Sequence, residues 1–589
     1  MTAFVRPAVS GCFPPHLLMS YTTGMRNTLR KISSVGLFVI LTACGGGGGG
    51  SGGGGNVQPT PTPTPVGPTR QQLLDASRFS ARATLGLTHE EIEALAGMGH
   101  EAWLELQFLA PIERHLSVVD NLLQRLADGE FDEANNPDNL RFVFRRYAWW
   151  HQAVQANDAL RQRIAFALSE IFVVSEVGNL EGFPRALPQY YDQLLENAFG
   201  NFRVLLRAVT LSPAMGTYLS HLNNRKADPA NNVFPDENYA REVMQLFSIG
   251  LFELNTDGSQ KTDANGDSIP TYTNPVIREF AKIYTGLSFG GEPANFGRQF
   301  PKNYIEPMAM FEAFHETSEK NLLNGLVVPA GQTGMQDIED ALDNLFLHPN
   351  VGPFIGKQLI QRLVTSNPSA DYIERVANAF NDNGNGERGD MKALIRAVLL
   401  DPEAVAPANT HQGFGKLREP LLRLVATLRQ FNVQNDSGEY YNAGYYVQNV
   451  LKQHALASPS VFNFFLPAHS PSGEIAEANM VAPEFQITTS TTVMAVTNLA
   501  DLMVIGGSLS DVQAPPFSTA TLNLNEYNQI ASDVSMLIDR LDVVLTYGTL
   551  SPETRSAIED ALNGIADLDF RAKFAIYLFL VSPDYAVQI

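Results

Sequence analysis

Four polar side chains spaced for a single helical face, Asn238, Arg241, Glu242 and Gln245, form the densest group of chemically capable residues in this chain. They fall at i, i+3, i+4 and i+7, while Tyr239, Val243, Leu246 and Phe247 fall on an apolar face. A fan of amide, guanidinium and carboxylate groups can hold a polar ligand or move a proton. Arg241 and Glu242 are therefore catalytic candidates, with Asn238 and Gln245 as ligand-binding ones. A buried structural network or a solvated face gives the same pattern. His315, in one block with Glu316 and Lys320, is the third catalytic candidate. An enzyme built on these residues must bring at least two groups from Arg241, Glu242, Glu279, His315 and Lys320 together in a concave site.

Oxygen-rich loops are the metal candidates. Asp257 precedes Asp263, Asn265 and Asp267, and hard oxygens at alternate positions suit calcium. Ser268 and Asn274 stand where an EF-hand loop carries its glycine and bidentate glutamate, and Asp and Asn also make ordinary turns. Asn381 to Glu387 is a similar loop. Three familiar signatures fail on context. Gly286-Leu287-Ser288-Phe289-Gly290 follows a helical stretch where a nucleophile elbow needs a strand. Gly352 to Lys357 is one residue short of a phosphate loop, and Gln358 replaces the Ser or Thr that holds magnesium. His315-Glu316 reaches Glu319 where a zinc protease needs a second histidine. His151, His221, His348, His454 and His469 are scattered.

The N-terminus points to export. Arg26, Arg30 and Lys31 precede the apolar run 32–43, too short for a permanent membrane span. Leu41-Thr42-Ala43-Cys44-Gly45 resembles the lipobox of bacterial lipoproteins, which implies lipidation of Cys44 and a bacterial cell-envelope location, lipid-anchored on the periplasmic face or the cell surface. We read 1–43 as a signal peptide, with Met25 as its expected true start. Residues 44–69 read as the lipidated cysteine and a disordered tether, glycine-rich and then Pro-Thr repeated.

Residues 70–589 must position any chemistry, and their periodicity is helical almost throughout. Helices are expected over 70–97, 101–109, 161–174, 189–212, 237–251, 275–287, 336–347, 352–364, 369–381, 390–400, 415–431, 488–503, 525–545 and 571–580. Asp390 and Ser551 are placed as N-caps. The fold class is all-α, a large multi-helix body with long loops, in two or more subdomains. Leu205 to Pro213, Leu394 to Pro402 and Ala575 to Pro583 repeat one pattern, a buried helix stopped by Ser-Pro or Asp-Pro. The formal charge is −21, and loss of the first 43 residues, with four basic side chains and no acid, takes it to −25. A body that acidic excludes nucleic acid as a partner. With Cys12 and Cys44 the only cysteines, there is no internal disulfide, thiolate metal site or cysteine nucleophile.

Several blocks carry a family resemblance. They are Arg78 to Gly86 with Trp103-Leu104, Glu237 to Gly250, Phe280 to Gly286, His315 to Lys320, Arg388 to Lys392, Lys416 to Pro420 and Ser458 to Phe465. Together they resemble the bacterial exported family called domain of unknown function 1800, which implies a large helical secreted protein and no established reaction. Members often carry Trp-His-Asn-His near the position held here by Leu168 to Ile171, so the resemblance brings no histidine metal site. Two functions stay open. One is a membrane-tethered protein that binds or scaffolds an envelope-protein or glycan partner. The other is a metal-assisted hydrolase of an extracellular polymer, with Arg241, Glu242 and His315 in one pocket.

Overall fold

Short polar caps decide where the helices begin. Thr69, Thr88 and Thr333 each accept the N3 amide of the following helix, and Gln72, Glu91 and Gln336 return the bond to the cap residue. Asp390 and Ser551 cap as expected. The computed structural model describes residues 67–131, 140–292, 294–297, 302–406, 413–435, 449–510 and 519–589. Cys12, Met25, Cys44, the apolar run 32–43 and the Gly/Pro-Thr segment up to Val66 lie outside them.

The body is mostly helical, and its strands are short. Leu287–Ser288 pairs with Ala309–Met310, Lys320–Asn321 with Val327–Val328, and Lys416–Leu417 with Val587–Gln588. A three-stranded piece joins Gln434–Asn435, Thr519–Thr521 and Leu509–Ser510. The described residues from Gly67 onward belong to one compact unit, and one apolar core runs through it from Ala76 to Tyr585. A small second core, around Val119 and Phe144, lies between the helices His115–Ala127 and Leu140–Gln155. Each fully buried Leu, Ile or Phe contributes roughly 1.5–3 kcal/mol of transfer free energy, so the main core carries the fold.

Periodicity overran several breaks. The stretch 70–97 is two helices, Arg70–Ala83 and His89–Met98. Between them Gly86 has φ +128°, and a Cβ there would lie 2.8 Å from the Ala426 backbone, a packing demand that periodicity does not encode. The stretch 189–212 splits into Ala186–Asn197 and Phe202–Leu211 where Asn201 pairs with Asp390. The stretch 525–545 divides into Asn525–Ile530, Val534–Leu541 and a π-helical turn at Asp542–Thr546. The repeated pattern is a real corner: each helix ends and a short Pro-started helix follows, at Pro213–Tyr218, Pro402–Val405 and Pro583–Ala586. Asp401 and Ser582 cap their turns through their side chains.

Candidate ligand-binding cleft

Helix Val351–Leu363 places Phe354, Lys357, Gln358 and Gln361 on one face, at i, i+3, i+4 and i+7. That face lines an open cleft of about 1030 Å³, at the upper end of the roughly 300–1,000 Å³ of small-molecule sites. Gln245, Leu246 and Gly250 line it from the neighbouring segment, and Leu251, Leu254 and Gln260 from the hairpin that follows. Gly250 has φ +73°, and a Cβ there would meet the Phe354 ring at 2.8 Å, so this wall needs a glycine. Asn350 pins the hairpin, donating to the Ile249 and Phe252 carbonyls at 2.8 Å and accepting from the Leu254 amide at 2.9 Å.

The opposite wall is a long loop held down by amides. Gln361 donates to the Ser366 and Pro467 carbonyls, and Asn367 exchanges two hydrogen bonds with the Val481 backbone, at 2.8 and 2.9 Å. This strap brings Val461, Phe462, Leu466 and Met480 onto the cleft. Leu251, Phe462 and Leu466 remain 48%, 46% and 44% exposed, apolar surface that no described residue covers.

The floor is charged and buried. Glu170 follows helix Ala159–Ser169, and Arg362 donates to its carbonyl at 2.9 Å, a cation satisfying a helix C-terminus. Arg362 Nε stands 3.8 Å from Glu170 Oε2, while Asn463 donates to Glu170 Oε1 at 3.1 Å. Glu170 Oε2, Arg362 Nε and Gln358 Nε2 have no hydrogen-bond partner, a concentration of unmet demand that interiors ordinarily avoid.

Below the floor, Lys416 donates at 2.9 Å to the Gln361 and Arg362 carbonyls and to Glu484. Arg163 reaches the Arg362 carbonyl at 2.6 Å. These cations hold the last-turn carbonyls of the cleft helix and so fix its height. Burial, with the neighbouring Glu170 charge second, pushes the Glu419 carboxyl up to about 8, and burial raises Glu484 as well. A water-sized space touches Arg163, Lys416, Arg418 and Glu419.

The residues singled out by spacing go to different places. Gln245 lines the cleft. Asn238 is exposed, donating weakly to Ser220 at 3.3 Å, and Arg241 pairs with Glu237 at 3.3 Å, with both partners about two-fifths exposed. Glu242 is buried one turn before Gln245. Burial raises its carboxyl against the pull of Arg241, and its Oε2 has no partner. His315 lies fully buried, hydrogen-bonded to the Thr285 carbonyl and to Asp337 Oδ2, each at 2.9 Å. Lys320 meets the same carboxylate oxygen at 2.5 Å. Burial pushes Asp337 up, but hydrogen bonds from His315, Lys320 and Gln332 outweigh it and leave the carboxyl below its ordinary value. Glu279 pairs with Lys282 at 2.7 Å. Thus His315 and Lys320 come together on Asp337 in a sealed network, while Arg241 and Glu242 stay on their own helix.

The oxygen-rich loop is a hairpin turn. Asp263 accepts the Asn265 and Asp267 amides at 2.8 and 3.0 Å, and Asp257 accepts the Ser259 amide at 2.9 Å. Among the described residues no group of three or more His, Cys, Asp or Glu side chains is placed to hold a metal. Ser288 sits buried in a two-residue strand and donates to Asn223 at 2.6 Å, with no elbow around it.

A family model described as protein of unknown function (DUF1800) matches residues 78–587. The chain belongs to that family. No curated protein and no solved structure matches it. Three of the blocks that carried the DUF1800 resemblance meet at the cleft: Glu237 to Gly250 through Gln245 and Gly250, Lys416 to Pro420 through Lys416 under the floor, and Ser458 to Phe465 through Val461, Phe462 and Asn463. The cleft helix itself belongs to none of those blocks. Its stripe could have been found by the same i, i+3, i+4, i+7 count that singled out Asn238 to Gln245.

Proposed function

We propose that this is an exported, membrane-tethered binding protein of the bacterial cell envelope, whose cleft receives an apolar segment of an envelope or extracellular component. The cleft carries this reading: a large open cavity with uncovered apolar walls over a floor of partly unpartnered polar groups is what a ligand site requires. The Cys44 lipidation signature and the spacer behind it support the tether, which would hold the body away from the bilayer. No described helix is long and apolar enough to cross a membrane. The apolar part of the lining is aliphatic with two phenylalanines, Phe354 and Phe462, and the described lining residues include no Trp or Tyr on which a sugar ring would stack, which favours an apolar protein segment or acyl chain over a glycan strand.

The hydrolase reading needs Arg241, Glu242 and His315 in one pocket, and nothing in their placement supports it. The test is photo-crosslinking in intact cells, with the reactive side chain at Phe462 or, as a control, at Leu109, which is 78% exposed on another element. A discrete adduct at 462 and none at 109 supports the cleft. Equal labelling at both, or none at 462, removes it.

A further inference from the structure

The charges around the cleft run against the rest of the molecule. The chain carries a formal −21, yet Glu170 is the one acid among the described residues that line the cleft, and Arg362 and Asn463 already engage it. Lys357 has no ion-pair or hydrogen-bond partner among the described residues, and it sits in the middle of the lining helix beside Phe354 and Gln358. Its side chain is exposed within the open cleft, where the crowding of the walls lowers the ammonium from its ordinary value, so a bound anion would supply the counter-charge that the cleft lacks.

A second observation comes from the neighbouring side chain. Gln358 is more than nine-tenths buried and its Nε2 has no acceptor, and Arg362 Nε, one turn on, lacks one too. Lys357, Gln358 and Arg362 therefore bring three N–H donors, on two turns of one helix, to the lining of a single space, a surplus suited to anionic oxygens. Around them the apolar stretches of the walls are aliphatic and phenyl, between amides such as Gln245 and Gln260, and Leu251, Phe462 and Leu466 are about half uncovered. Met480, among the most adaptable of apolar side chains, completes the strap side.

We infer that the cleft binds an anionic amphiphile, an apolar chain ending in a carboxylate or phosphate, with Lys357 pairing the anion and Gln358 donating to it. The chain then runs along Phe354, Leu251, Phe462 and Leu466. This rests on the cleft being the functional site and adds the chemical class of its occupant. A free fatty acid and a phosphate-headed lipid share that chemistry.

The experiment is calorimetric titration of the full chain carrying Cys44→Ser, which removes lipidation and leaves every described residue in place. The probes are palmitate, hexadecyl phosphate, hexadecanol and hexadecyltrimethylammonium. The expected result is saturable one-to-one binding of the two anions, with the alcohol and the cation at least about ten-fold weaker. Shortening the chain should weaken binding roughly two- to four-fold per methylene. Lys357→Met should cost about ten-fold or more for the anions and little for the alcohol, and Lys357→Arg should recover most of it. The tighter of the two anions then identifies the source, a fatty acid or a phosphate headgroup. Anions no better than the alcohol, or binding indifferent to Lys357→Met, overturns the inference. Failure of every probe alongside a cross-link at Phe462 overturns it too, while leaving the cleft reading in place.

Discussion

Two buried polar clusters of similar composition, one around His315 and one around Glu170, differ in how completely they are satisfied. In the first, Asp337 accepts from His315, Lys320 and Gln332, His315 spends its other nitrogen on the Thr285 carbonyl, and Lys320 also donates to the Ser318 carbonyl. In the second, Glu170, Arg362 and Gln358 each keep an unpartnered atom beside an open cavity. A closed network specifies a fold, whereas an unfinished one beside a cavity is equipped for something that arrives. Residue type alone would rank the histidine first; satisfaction and access reverse that order.

The comparison breaks most visibly at Asp337. Asp337→Ala leaves the Lys320 ammonium buried without its anion, and chemical denaturation should show a loss of about 3–5 kcal/mol. A loss under about 1 kcal/mol would mean the network is not structural. The cross-link at Phe462 should persist in whatever fraction remains folded.

Titration of the floor comes next. Glu419 titrates near 8 in the fold against about 4.3 for a free glutamate. A carboxyl raised this way contributes its full stability below the unfolded value and loses it as pH rises through the folded one. The contribution of Glu419 to stability should therefore fall between about pH 4 and pH 8, by on the order of a few kcal/mol, and Glu419→Gln should flatten that component. Asp192, raised to about 7 by burial, adds to the same trend. His89, His115, His221 and His454 are lowered to about 4 by burial. They stay neutral in the fold and lose stability as pH falls below about 6.5. Thermal melts across pH should peak between about 6 and 7; a maximum at pH 9 would contradict the buried floor.

Gly250→Ala is smaller and more local. A Cβ at φ +73° pressing on Phe354 should cost about 1–3 kcal/mol and displace the cleft wall, so palmitate binding should weaken more than the melting temperature shifts. The least effect is expected at the hairpin turn. Asp263→Ala should move the melting temperature only slightly, and calcium should leave it unchanged, because the carboxylate already holds its own turn. A marked upward shift with calcium would show that the loop binds the ion.

Much of the architecture was legible. The helices Gly334–Phe346, Val351–Leu363, Ala370–Asn381 and Met391–Leu399 stand within two residues of their expected bounds, because apolar spacing and caps are local. The breaks at Gly86 and Asn201 were not legible, since each answers a distant segment, Ala426 in one case and Asp390 in the other. The site was half legible. Gln245 emerged from the first stripe, but Lys357 and Gln358 entered only as the misfit end of a phosphate loop. Glu170 entered only where family members carry histidines. Their convergence depends on the strap that Gln361 and Asn367 hold down from residues more than 100 positions away, which no local spacing reports.

Hydrogen exchange of the chain with and without an envelope extract tests the central claim most directly. Protection confined to residues 245–260, 354–367 and 461–481 would place the partner in the cleft. Protection centred on 315–337, or none within the three cleft segments, would contradict it.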